Sequence, residues 1–333
     1  DDDASAGSIE TGMSVLTCGV AVDADGDGSD EAGFLASDGD SVFLYIIGMA
    51  LDPGSAGYAG PGAAFWSVCA GRPVSHPALA LMPGGERGIF FAFADEGQIY
   101  VACTGLQAGD QVISAQVPGA YEAMRASLGS SLPAGQDSLM ITTASSGDMD
   151  RDGIDEMVTS LPGTGPVYFD PFDAQEPSGP AVPGSGVTFA AIAGKEVSAP
   201  SLADLDGDGV LETLARGEGR LWAFSGLGTV AQAWPRQGMQ GLEGLEDPLH
   251  LPQPLALDVD GDGLLEAVFN VAGDVYFEEY SQAGGPLPPM RGERGDDISH
   301  TAVESEDGGL YIFIAGNRPV MESWAEYWYL AVA

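Results

Sequence analysis

The chain has 333 residues, with 50 Asp or Glu against 11 Lys or Arg, and a formal net charge of −39. That balance argues against nucleic-acid phosphate and anionic lipid as partners, because both need cationic faces. A hydrophobic content of 44% supports a substantial core, whereas the longest apolar stretch, around Val42 to Ala50, is too short to cross a bilayer as a helix.

In chain order, the start at Asp1, with neither initiator Met nor apolar leader, reads as a mature secreted product. Residues 1–12 are expected to be a flexible N-terminal segment of a single domain spanning 1–333. Dense Gly (49) and Pro (22) then punctuate short apolar runs that read as strands. The first unit runs VLTCGVAV, the loop DADGDGSDE from Asp23, EAGFLAS and SVFLYIIG. A second, PALALMPGGERGIFFAFADEGQIYVACTG from Pro77, has the rhythm of PSLADLDGDGVLETLARGEGRLWAFSG from Pro200. Its equivalent loop positions Leu81, Pro83, Gly85 and Ile89 hold no carboxylate. Tyr121 to Leu128 is the one candidate for a short helix. The third unit pairs LMITTAS, DMDRDGIDE from Asp148, EMVTSL and VYF. A Pro- and Gly-rich insertion between Pro171 and Gly186 follows. The fourth unit carries DLDGDGVLE from Asp204, and the fifth DVDGDGLLE from Asp258. A sixth, SHTAVESEDGGLYIFIAGN from Ser299, has lost the acid spacing. The loop starts differ by 125, 56 and 54 residues, so the degenerate second unit fills the double gap and the mean repeat is near 55.

The four acidic loops share carboxylates at positions 1, 3, 5 and 9 and Gly at position 6, which permits a sharp turn. Position 7 is variable, as suits a main-chain carbonyl ligand. The candidate ligand sets are Asp23, Asp25, Asp27, Ser29 and Glu31; Asp148, Asp150, Asp152, Ile154 and Glu156; Asp204, Asp206, Asp208, Val210 and Glu212; and Asp258, Asp260, Asp262, Leu264 and Glu266. Hard oxygen donors at this charge density favour Ca²⁺, about four ions in all, over Mg²⁺ or zinc. An EF-hand would need Glu at position 12, where Phe34, Thr159, Ala215 and Phe269 stand instead, and flanking helices where these flanks read as strands.

These segments resemble the FG-GAP/VCBS repeats of integrin α-subunit propellers and bacterial surface proteins. The resemblance implies an all-β fold, a β-propeller of six four-stranded blades, or seven if the N-terminus or the 171–186 insertion builds another. It places the calcium loop between the first and second strands of a blade, and implies that the units at Leu81 and Ser305 do not bind calcium in the family's way. Closure of the ring is expected from the apolar C-terminus WAEYWYLAVA or the strand leading into Cys18.

A structural role for calcium points to an extracellular binding, adhesion or surface-assembly module, secreted or on the cell surface. Its expected partner is a protein or glycan, with a homo-oligomer or filament as a further form. The alternative is a carbohydrate-active lyase or hydrolase on the propeller scaffold, although no GxSxG, Walker-type or HExxH pattern is present. His76 and His300 occupy equivalent positions near one rim, as a metal or base pair, or as strand caps or solvent-facing side chains; His250 is the third histidine. Trp66, Trp222, Trp234, Trp324 and Trp328 are candidates for ligand stacking or strand packing. Of Cys18, Cys69 and Cys103, the second and third form the candidate disulfide, the alternative being three buried thiols.

Overall fold

The computed structural model describes residues 15–48, 58–60, 63–128, 142–172, 187–189, 198–217, 220–225, 229–234, 253–258, 263–271, 274–279, 290–291, 297–304, 310–317 and 326–332. The fold is all-β. The segment Ala120–Leu128 forms the one α-helix among the described residues, where the sequence places it. The described strands form six antiparallel sheets that follow one another along the chain. The N-terminal segment 1–12, most of the 171–186 insertion, His250 and Trp324 lie outside the described residues.

Alternating β-branched and aromatic runs between Gly-rich turns give each sheet the same build. In the first sheet Val20–Val22 pairs with Glu31–Ser37, which pairs with Ser41–Ile47, and Ala63–Ala70 follows. The second repeats this with Ala78–Leu81, Arg87–Asp95, Gln98–Gly105 and Ile113–Val117. The third contains Ala144–Gly147, Glu156–Leu161, Gly165–Phe169 and Val187–Phe189. Ser201–Ala203, Glu212–Gly217, Arg220–Ser225 and Thr229–Trp234 make the fourth. The fifth joins Leu255–Leu257, Glu266–Val271, Asp274–Glu279 and Met290–Arg291. Three strands, Asp297–Glu304, Leu310–Asn317 and Glu326–Val332, make the sixth.

Consecutive sheets are joined by apolar clusters. One links the first and second sheets through Leu35, Leu44, Ile46, Phe91 and Phe93. Another links the second and third through Phe90, Val101, Met157 and Phe169. Met149, Tyr168, Ala215 and Phe224 bridge the third and fourth, and Leu205, Leu221, Ala267 and Phe269 the fourth and fifth. The first strands adjoin in the same order, Val20–Val22 beside Ala78–Leu81, then Ala144–Gly147, Ser201–Ala203 and Leu255–Leu257.

Two sequence expectations need correction. Val15–Leu16 pairs with Ser37 and Ala36 in its own first sheet, so the strand leading into Cys18 extends that sheet rather than completing the last one. The C-terminal run pairs with Leu310–Asn317 as the third strand of the sixth sheet. Cys69 and Cys103 are free thiols, as is the exposed Cys18, so neither a disulfide nor three buried thiols describes them. Burial, helped by Asp95 and Asp155 respectively, pushes the Cys69 and Cys103 thiols up to about 12.

Candidate metal sites

Each acidic loop is the connection between the first and second strands of its sheet. The residue before loop position 1 pairs with the position-9 glutamate in all four: Val22 with Glu31, Gly147 with Glu156, Ala203 with Glu212 and Leu257 with Glu266. One register therefore presents four loops in one way.

Inside the loops the carboxylates organise the backbone before any ion is considered. The position-6 N–H donates to the position-1 carboxylate in every copy, from Gly28 to Asp23 at 3.1 Å, Gly153 to Asp148 at 3.0 Å, Gly209 to Asp204 at 2.8 Å and Gly263 to Asp258 at 3.0 Å. Position 5 donates to position 3, and position 7 to position 5, in the loops at Asp23, Asp148 and Asp204. The position-6 glycines sit at φ +83° to +90°, a region costly for other residues.

The position-9 glutamate closes the loop from inside. Its Oε2 accepts the position-2 N–H, from Ala24 at 2.7 Å, Met149 at 2.6 Å and Leu205 at 3.0 Å. The position-2 side chain is meanwhile anchored in an inter-sheet cluster. Glu31, Glu156, Glu212 and Glu266 are 5, 1, 1 and 1% exposed. Burial, then the aspartates around it, pushes Glu156 up to about 9, and the same causes push Glu212 up to about 7. Burial also raises Asp150 above the usual carboxylate range. A bound cation would reverse that direction by stabilising the ionised forms.

Oxygens that could hold a metal ion converge in three loops. They come from Asp23, Asp25 and Asp27; from Asp148, Asp150 and Glu156; and from Asp204, Asp206 and Glu212, each set lying within 4.8 Å. Glu31 is not part of the first set, and Asp152 and Asp208 are not part of the other two. Asp260 and Asp262 lie outside the described residues. The residues present fit a hard cation on an independent observation. Asp148 Oδ1 and Asp204 Oδ1 are buried with no hydrogen-bond partner, at the same position of two loops. A buried carboxylate oxygen without a donor is costly unless something positive faces it.

Three features escaped the sequence reading. Position 4 is also left-handed, at Gly26, Arg151 and Gly207, so the glycines that the sequence places there, Gly26, Gly207 and Gly261, were a missed signal. Arg151, at φ +69°, carries a strain of roughly 1–3 kcal/mol that the others avoid. A hydroxyl residue stands six positions before position 1 in several units, where Thr17, Ser75 and Ser198 accept the N–H of Leu35, Ala92 and Arg216 and Thr142 bonds Thr159. Equivalent serines also stitch sheet to sheet, Ser145 donating to Pro200 O at 2.8 Å and Ser201 donating to Pro254 O.

The second unit closes without carboxylates. Met82 N–H donates to Glu86 O at 2.8 Å and Gly85 N–H to Met82 O at 3.1 Å around a single 3₁₀ turn, Pro83–Gly85. Asp155, at position 8 of the loop at Asp148, grips Leu81, accepting its N–H at 2.8 Å and donating to its carbonyl at 2.9 Å. His76 is half-buried and accepts the Cys18 N–H through Nδ1 at 2.9 Å, while its own N–H donates to Thr142 O. It thus works as a tie between sheets, and burial holds its pKa below the usual histidine value. The side chain of His300 lies outside the described residues. Trp66 packs on the core between the first two sheets, and Trp222 stacks on Phe224 at 6.4 Å.

Among the described residues, no helix is long and apolar enough to cross a membrane. No protein-family model and no curated protein sequence matches the chain. Similar solved structures include BBS1N in complex with ARL6DN, at 12% identity and a TM-score of 0.46, covering 92% of this chain and 78% of that one. The Dos1 propeller is similar at 10% identity and a TM-score of 0.48, covering 91% of this chain and 67% of that one.

Proposed function

We propose that this chain is a calcium-braced β-propeller of the FG-GAP/VCBS kind that works outside the cell as a binding module for a protein or glycan. The six successive sheets are its blades, and first strands adjoining in chain order are what a ring of blades around an axis requires. The single observation that carries the calcium reading is the pair of orphaned buried oxygens, Asp148 Oδ1 and Asp204 Oδ1, in loops that share one hydrogen-bond pattern. In each loop the position 1, 3, 5 and 9 carboxylates and the position 7 carbonyl hold one Ca²⁺, about four ions in all. The ions supply fixed positive charge; the chain's own residues shape the loops and tie sheet to sheet.

Calcium as a brace leaves the blade rims free for recognition, and the formal net charge of −39 disfavours anionic polymers as ligands. The test is a glycan and extracellular-protein array probed with and without EGTA, with fractionation of the native source. Binding that chelator abolishes, from protein recovered outside the cytoplasm, is the expected result. Cytosolic recovery, or binding indifferent to calcium removal in a fully stripped sample, overturns the reading.

A further inference from the structure

The loops at Asp204 and Asp258 are nearly the same sequence, DLDGDGVLE and DVDGDGLLE, yet they face different neighbours. Across from the first stands Arg151, position 4 of the loop at Asp148. Its Nη2 lies 3.3 Å from Asp208 Oδ1, the one salt bridge among the described residues. The guanidinium also overlies the turn of that loop, since a Cβ on Gly209 would come within 2.8 Å of it. Across from the loop at Asp258 the equivalent position is Gly207, whose nearest neighbour there is the Leu264 side chain. Arginine at position 4 is the odd residue: the other loops have glycine, and Arg151 adopts the left-handed backbone that glycine takes without strain.

We propose that Arg151 is a built-in counter-cation for the loop at Asp204 and sets the order in which the loops take up calcium. This rests on the calcium reading above. A guanidinium against the position-5 carboxylate lowers the repulsion among the loop's acids before the ion arrives, then repels the ion once it is seated. Both effects weaken calcium binding at Asp204 and leave the loop at Asp258 untouched. Arg151 and Asp208 are 49% and 58% exposed, so solvent keeps the effect to a few-fold, and salt reduces it further.

The test is a calcium titration of the isotope-labelled, calcium-stripped full chain, following the position-6 amides Gly28, Gly209 and Gly263 by NMR. Gly209 is expected to respond at higher calcium than Gly263. Arg151→Gln should lower the Gly209 midpoint by roughly threefold or more while Gly263 and Gly28 stay in place. Arg151→Gly, which has the residue of the other loops, should shift Gly209 the same way and relieve the backbone strain. High salt should narrow the gap in the unsubstituted chain. A Gly209 midpoint unmoved in both variants overturns the proposal and leaves the calcium reading standing. Failure of every amide to respond removes the calcium reading and this inference with it.

Discussion

The second and third sheets are built alike but closed differently. Both have a first strand running into a second, a hydroxyl residue six positions before the turn, and a shared core centred on Phe90 and Phe169, whose rings meet edge to face at 6.2 Å. At the turn they part. The loop at Asp148 gathers three carboxylates, with Asp148 Oδ1 buried and orphaned, whereas the turn after Leu81 closes through Met82, Gly85 and Glu86 main-chain bonds. The contrast teaches that the hairpin itself does not need the carboxylates. Apolar packing between sheets holds the strands in place; the carboxylates create a local charge problem that a bound cation would solve. A unit can lose the acids and keep its strands.

Experiments that break one side of this comparison should rank in a definite order. Phe90→Ala removes a fully buried ring from the core that both sheets share, and should cost about 3–5 kcal/mol in urea unfolding, with or without calcium. Glu156→Ala deletes the position-9 carboxylate and leaves the Met149 N–H unpaired. It should cost about 1–3 kcal/mol from the lost hydrogen bond alone, and abolish one calcium site in a binding titration. Asp206→Ala should lower the calcium stoichiometry by one and weaken the fourth sheet's loop, with the strand Arg87–Asp95 unchanged in hydrogen exchange.

The smallest effect concerns pH. His76 has a folded pKa below its ordinary 6.5 because burial disfavours the charged ring, and its Nδ1 accepts a hydrogen bond only when unprotonated there. The native state then binds fewer protons than the unfolded chain near that pH. The contribution is complete above 6.5 and is lost as pH falls through the folded value. Thermal melts of the chain and of His76→Ala should therefore differ at neutral pH and converge on acidification.

Much of this was legible in the sequence because it depends on local chemistry. The loop spacing, the strands on either side, the turn after Leu81 whose loop positions hold no carboxylate and the helix at Tyr121 to Leu128 each follow from a short stretch of residues. What was not legible depends on contacts between distant segments. Nothing local indicates that Asp155 grips Leu81, that His76 holds the Cys18 N–H, or that Arg151 reaches the next loop. Val15–Leu16 pairs within its own sheet for the same kind of reason: strand partners are chosen by register and packing, which a terminal apolar run does not encode. The glycines at position 4 and the hydroxyls six residues before position 1 in four of the units, Thr17, Ser75, Thr142 and Ser198, were visible, and aligning the units beyond the acids would have found them.

The most direct test of the central claim is hydrogen exchange of the intact chain with and without EGTA, read loop by loop. A cation bound only to the native state stabilises it by mass action, ~2.7 kcal/mol per site at a hundred times the dissociation constant. Chelation should therefore deprotect the amides of Gly28, Gly153, Gly209 and Gly263 together and lower Tm, while Met82 and Gly85 in the turn after Leu81 keep their protection. Unchanged protection at all four glycines in verified calcium-free protein, with an unchanged Tm, would contradict the account.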